Sequence, residues 1–204
     1  MTNNLKLIKS LLEFQSTDDY YFLQLLKRRK DNPEMAKDME VIMNYYVVSA
    51  AHLDSIMPTV IQICDAVNCR AYFRINRRSF KKSALKTNRL LAGYLEDGAY
   101  SSARAAFNSV TGKHHADPDK KWIIDIDDCK LLTHPTQEES DRVAKIIDVS
   151  TELQSKAKRT PLNQLVPSKT GLHIITRPFN LAEFNKYIPD TDVHRDNPLI
   201  LYCP

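Results

Sequence analysis

Apolar residues recur along this chain with two periods, and the alternation between them predicts most of its elements. Leu5, Leu7, Ile8, Leu11 and Leu12 approximate one face of a helix, and Asp18-Asp19 is positioned to cap a second helix through Leu26, ended by Asn32-Pro33. Met39 to Val48 is rich in β-branched and aromatic residues and predicts a strand. A helix from Ser49 to about Val67 follows, with Leu53, Ile56, Met57, Val60, Ile61 and Cys64 inward despite Pro58. Arg70 to Arg78 alternates as a strand, with Tyr72, Arg74 and Asn76 on one face and Ala71, Phe73 and Ile75 on the other. Ser79 caps a helix to about Leu95, and a shorter helix holds Tyr100 to Val110. A polar loop, Thr111 to Lys120, carries His114 and His115. With Asp117 they could bind a metal, although adjacent side chains diverge and a surface loop is the simpler reading.

The second half reads more sharply. Trp122 to Asp128 is a short strand, and Thr136 with Glu139 forms a capping box opening a helix to about Lys156. Leu162 to Val166 and Leu172 to Thr176 are strands around a Pro167–Gly171 turn. Glu183 to Tyr187 is a short helix, and Pro198 to Tyr202 a last strand. The expected order is β-α-β-α-α-β-α-β-β-α-β, behind an N-terminal helical segment at 1–36. Residues 37–204 would form one α+β domain with a mixed, largely antiparallel sheet packed with helices.

Composition narrows the class. Four glycines, with neither G-x-G-x-x-G nor G-x-x-x-x-G-K-[ST], leave dinucleotide and P-loop folds without support. Cys64, Cys69, Cys129 and Cys203 show no C-x-x-C spacing, so a zinc ribbon is not expected and the thiols suit a reduced, cytoplasmic protein. No apolar run approaches a membrane span. The net charge of +4 is mild, and its clustering matters more. Lys27-Arg28-Arg29-Lys30 reads as a solvated run, whereas Arg74, Arg77, Arg78, Lys81, Lys82, Lys86 and Arg89 form a longer basic group suited to phosphates. In that reading Arg74 meets a nucleotide, while Arg77, Arg78, Lys81 and Lys82 meet nucleic acid.

The chemistry concentrates in two segments. Asp125 and Asp127 are two apart on a strand, so their carboxylates share a face, and two such carboxylates repel unless a hard cation such as Mg²⁺ or Mn²⁺ lies between them. Ser168-Lys169-Thr170-Gly171 then turns into a strand bearing His173. The bland readings are a solvated strand end for the carboxylates and a core residue for the histidine.

The order hhhDhD followed by S-x-x-G-x-H resembles the archaeo-eukaryotic primase superfamily, most of all the primase-polymerase domains of bacterial end-joining ligases. The resemblance runs from Trp122 to about Arg177. It implies an RRM-like catalytic core, with Asp125 and Asp127 as catalytic metal ligands and His173 on the phosphates of an incoming nucleoside triphosphate. Ser168 and Lys169 would lie in the phosphate-facing turn. Two departures stand out. Thr170 occupies a place where the nearest relatives carry a basic residue, with Lys169 one position early. The third motif, an apolar residue before a metal-binding Asp, has no clear counterpart, because Thr191 precedes Asp192 and Arg195 precedes Asp196. Asp196 is the expected third metal carboxylate, since it borders the final strand, and Asp192 is expected to serve a turn.

Three functions follow as expectations. The first is a nucleotidyltransferase, a small primase or primer-extending polymerase using Mg²⁺ or Mn²⁺, nucleoside triphosphates and DNA or RNA, with replication or repair proteins as partners. The second is a catalytically degenerate binder of nucleotide or nucleic acid. The third is a metal-dependent nuclease or phosphoesterase. His134-Pro135-Thr136 spells one H-x-T, but His173-Ile174-Ile175-Thr176 is one residue too long to supply the second.

Overall fold

A computed structural model describes residues 1–113, 119–132 and 134–204. The His114, His115 and Asp117 candidates lie outside the described residues. The elements in chain order are β1 (Thr2–Asn3), α1 (Leu5–Lys9), β2 (Asp19–Arg28), β3 (Met39–Val47), α2 (Ala50–Val67), β4 (Arg70–Ser79), α3 (Phe80–Glu96), α4 (Tyr100–Ala103), α5 (Ala106–Lys113), β5 (Trp122–Ile126), α6 (Gln137–Lys156), β6 (Gln164–Pro167), β7 (Leu172–Thr176), α7 (Leu181–Tyr187), β8 (Asp192–His194) and β9 (Leu199–Cys203). The fold is α+β, as expected, but its strands divide between two antiparallel sheets. One runs β1-β9-β4-β2-β3, the other β6-β7-β5-β8.

The expected second helix is strand β2, paired with both β3 and β4. Tyr20 and Phe22 meet Tyr46 on one side, with Tyr20 also stacked on Phe80, while Tyr21, Leu23 and Leu25 enter the core with α2 on the other. A strand buried on both faces is apolar throughout, so periodicity alone cannot separate it from a buried helix. Asp18 is indeed a cap, but for α3. It accepts from Lys81 N at 2.8 Å and from the Ser79 hydroxyl, and these bonds, the Ser79 bond foremost, lower its carboxyl pKa. The expected boundary at residue 36 therefore falls inside a β2–β3 hairpin, and the N-terminal helical segment shrinks to α1.

Strand alternation divides the second sheet between two environments. Trp122, Ile124 and Ile126 of β5 and Leu172 and Ile174 of β7 pack with Val143, Ile146 and Leu153 of α6 and Phe184 of α7. Their neighbours Ile123 and Ile175 turn the other way and join the core of the first sheet. Asp125 and His173, each two residues along from one of these, consequently open between the two sheets.

Among the described residues, no helix is long and apolar enough to cross a membrane.

Candidate functional site

A cleft of about 250 Å³ lies between the sheets. Arg28, Arg70, Tyr72 and Ile200 line it from the first sheet, and Ile123, Asp125, His173 and His194 from the second. Lys30, Asp127 and the Ser168-Lys169-Thr170 turn complete much of its rim. Sequence reasoning placed Asp125, Asp127, His173, Ser168 and Lys169 at one site, and all five line this cleft.

The ladder fixes the centre. Asp125 is the register partner of His173 on one side and of Asp192 on the other, while Ile123 is opposite His194. Direct cross-strand partners share a face, with Cβ atoms about 5 Å apart. His173 Nε2 lies 3.2 Å from Asp125 Oδ1, and His194 Nε2 lies 3.8 Å from Oδ2, so the carboxylate sits between two imidazoles. The hydrogen bond from His173 lowers the Asp125 pKa, against a smaller upward push from burial. His173 Nδ1 is buried with no hydrogen-bond partner among the described residues. The expected strand through Asp128 stops at Ile126: Asp127 already lies, exposed, in the turn beyond β5, and Asp128 is left-handed at φ 51°. It is thus the turn and not strand alternation that brings Asp127 to the cleft beside Asp125.

The turn before His173 is braced from within. Ser168 N donates to the Gly171 carbonyl at 3.0 Å, and Gly171 N donates to Ser168 Oγ at 2.8 Å. Gly171 is required by proximity: a Cβ there would meet the Ile126 carbonyl oxygen at 2.2 Å and Asp127 Cα at 3.1 Å. The glycine thus lets the turn lie against the end of the carboxylate strand, which connects the two sequence motifs physically.

The cations come from several elements. Lys169 Nζ is 2.7 Å and Arg70 Nη2 2.6 Å from the same oxygen, Asp31 Oδ1, beyond the end of β2. Burial pushes the Asp31 carboxyl up, but the hydrogen bonds from Arg70 and Lys169 outweigh it and hold its pKa at about 2. Tyr72 Oη accepts from Arg28 at 3.0 Å and from Arg70 at 3.4 Å. Arg28, Lys30, Arg70 and Lys169 set four formal positive charges against the carboxylates of Asp125 and Asp127 in the lining, so the cleft favours an anionic ligand.

Other expected site residues are elsewhere. Arg74 and Arg78 lie 3.5 Å and 3.0 Å from Asp196 Oδ2. Asn76 Nδ2 donates to Asp196 Oδ1 at 3.1 Å. Asp196 is therefore the counter-charge of the buried Arg78 and the half-buried Arg74, and it is absent from the lining. Asp192, expected in a turn, instead opens β8 opposite Asp125, although it too is absent from the lining. Arg77 is buried, 3.7 Å from Asp19 and donating to the Glu13 carbonyl. Desolvation makes guanidinium groups costly unless paired inside, and this strand resolves the cost through carboxylates and carbonyls. Arg74, Arg77 and Arg78, expected to meet nucleotide and nucleic acid, are thus engaged within the protein and do not line the cleft. Lys81 and Lys82 are exposed on α3, outside the cleft lining.

Among the described residues, no three His, Cys, Asp or Glu side chains form a ready metal site. Asp125 and Asp127 supply hard oxygen donors, which fit Mg²⁺ or Mn²⁺ when phosphate oxygens of a substrate complete the shell. Sequence reasoning missed Arg28, Lys30, Asp31, Arg70, Tyr72 and His194. The Lys27–Lys30 charge run was the available signal for Arg28 and Lys30, but nothing local ties Asp31 to Lys169.

The chain matches no protein-family model, no curated protein and no solved structure.

Proposed function

We propose that this protein is a metal-dependent nucleotidyltransferase of the primase-polymerase kind, acting on nucleoside triphosphates and nucleic acid. The observation that carries the proposal is one cleft holding Asp125, Asp127 and His173 against Arg70 and Lys169. A divalent Mg²⁺ or Mn²⁺ held by Asp125 and Asp127 would neutralise phosphate charge and favour ionisation of an attacking 3′-hydroxyl. The chain's own groups do the rest by positioning and charge. His173 orients the Asp125 carboxylate through Nε2. Lys169, released from Asp31 by a competing phosphate, and Arg70 in the cleft wall present cations to the triphosphate. Four free cysteines support the cytoplasmic setting that this activity would have.

Incubating the protein with Mn²⁺, labelled nucleoside triphosphates and a primed single-stranded template tests the reading. Incorporation that Asp125→Asn abolishes is the expected result.

A second reading, a degenerate binder of the same fold, is favoured by one observation. Asp196 is engaged by Arg74 and Arg78, and Asp192 does not line the cleft. Nucleotide binding with no incorporation by wild type would establish that reading in place of the first.

A further inference from the structure

Three depressions adjoin along one side of the molecule. The central cleft shares Arg28 and Lys30 with a depression of about 490 Å³ that also includes Arg29. It shares Ser168, Lys169 and Thr170 with one of about 840 Å³, which reaches Asn3, Cys129 and Lys130. Shared walls make the three a single trough with the Asp125 centre in the middle.

Its cations are spaced along its whole length. Arg29 and Lys30 are exposed at one end, Arg70 and Lys169 lie at the middle, and Lys130 stands at the other end. The Lys27–Lys30 run explains the near end. Lys27 lies 3.3 Å from Glu34 and does not line the cleft, while Arg28, at the end of β2, and Lys30, in the turn after it, both reach the cleft wall. Arg29 pairs with Asp38, which lines the same depression, at 3.8 Å with both side chains well exposed, a pairing that contributes little. A globular anion would use one depression. Cations repeated along an extended path match a polyanion whose charges repeat along its own length, which a nucleic-acid strand provides.

We propose that a single-stranded nucleic acid lies along this trough, crossing Arg29 and Lys30 at one end and passing Cys129 and Lys130 at the other. The assignment rests on the nucleotidyltransferase reading for what happens at the centre, but the path itself is defined by the surface. It moves the nucleic-acid contact away from Lys81 and Lys82 on α3.

Two measurements on the full chain test it. The first is fluorescence anisotropy of labelled single-stranded DNA and RNA oligonucleotides, titrated with salt. Arg29→Ala/Lys30→Ala should weaken binding roughly tenfold and make the log–log salt slope shallower by about 1.4, as loss of two single-strand phosphate contacts requires. Lys81→Ala/Lys82→Ala should leave both unchanged. Circular dichroism confirms that each variant is folded.

The second uses Cys129, the one cysteine of the four that is not buried. An oligonucleotide with an activated disulfide at one terminus should be captured by Cys129, its thiolate displacing the leaving thiol. Unmodified oligonucleotide should compete, and Cys129→Ser should abolish capture. An unchanged salt slope in the Arg29/Lys30 variant, an equal loss in the Lys81/Lys82 variant, no oligonucleotide binding by wild type, or full competition by poly-glutamate would each overturn the path. Binding that depends on Arg29 and Lys30 without nucleotide incorporation would uphold the path and overturn the catalytic reading. Incorporation without that dependence would do the reverse.

Discussion

His173 faces Asp125 directly across an antiparallel ladder, with Nε2 3.2 Å from Oδ1, and this bond is the main reason the Asp125 carboxyl titrates below its ordinary range. Removing the imidazole in His173→Ala should therefore raise the Asp125 pKa, read by carboxyl carbon-13 NMR. The sign for stability follows from a depressed folded-state value. The bond stabilises the fold above the unfolded carboxyl pKa of about 3.9, and the contribution is lost as pH falls through the folded value. The variant's stability should accordingly fall less steeply with acid than that of wild type. An unmoved Asp125 titration would show that the histidine does not govern it.

Asp31 joins Arg70 and Lys169, with the Arg70 pair almost wholly buried. Its carboxyl, held at about 2, contributes on the order of 2 kcal/mol near neutral pH, a term lost as pH falls from about 4 toward 2. Asp31→Asn should cost more than that figure, about 3–5 kcal/mol, because it strands the Arg70 guanidinium without its counter-charge. Urea unfolding at pH 7 and pH 3 measures both quantities, and a loss no larger at pH 7 than at pH 3 would contradict the assignment.

Gly171→Ala should destabilise the fold by about 2 kcal/mol, since the added methyl must displace the Ile126 carbonyl. Backbone amide shifts should move at Ile126 and Asp127 as well as in the turn itself. A variant as stable as wild type would mean that the turn does not rest on the carboxylate strand.

Asp192 and Asp196 separate cleanly. Asp196→Asn removes the counter-charge of Arg78, whose side chain is fully buried, and should cost about 3–5 kcal/mol in chemical unfolding. Asp192→Asn, at an exposed position opposite Asp125, should leave stability within about 0.5 kcal/mol. It should nevertheless weaken Mn²⁺ binding measured by calorimetry in the presence of nucleoside triphosphate. Destabilisation by Asp192→Asn instead of Asp196→Asn would reverse these roles.

A calorimetric Mn²⁺ titration of Asp127→Asn completes the set. Binding should fall by tenfold or more, a scale typical of losing a metal-organising group. Stability should not fall, because Asp127 is an exposed turn residue and the substitution neutralises one of the two carboxylates lining the same cleft. Equal Mn²⁺ affinity in variant and wild type would remove Asp127 from the site.

Much of the centre was legible because it is local. Asp125 with Asp127, and the run from Ser168 through Gly171 to His173, are each a strand end with the turn joined to it. Short-range sequence already holds their members together, although Asp127 proves to lie in the turn and not on the strand face. Most element boundaries were legible for the same reason, with caps such as Ser49, Ser79 and Thr136 accepting from the backbone three residues on. What failed was long-range. Whether Arg78 faces water or Asp196 depends on a loop more than a hundred residues away, and no local pattern distinguishes a solvated arginine from a neutralised one. Tyr20 to Leu26 failed differently, since burial on both faces erases the period that separates strand from helix.

The position of β9 has a consequence for how the chain folds. It inserts between β1 and β4, pairing Tyr202 with Ala71 and Cys203 with Thr2. The β2–β3 hairpin and β4 can come together early, from contacts close in sequence, but the far edge of β4 must wait for a partner more than a hundred residues away. Such pairings raise contact order and slow the final step. Until β9 docks, β4 presents an open row of amide and carbonyl groups beside the nascent cleft, an edge on which a second unfinished chain could add a strand. Expression at low temperature with slow induction should therefore favour monomer over aggregate.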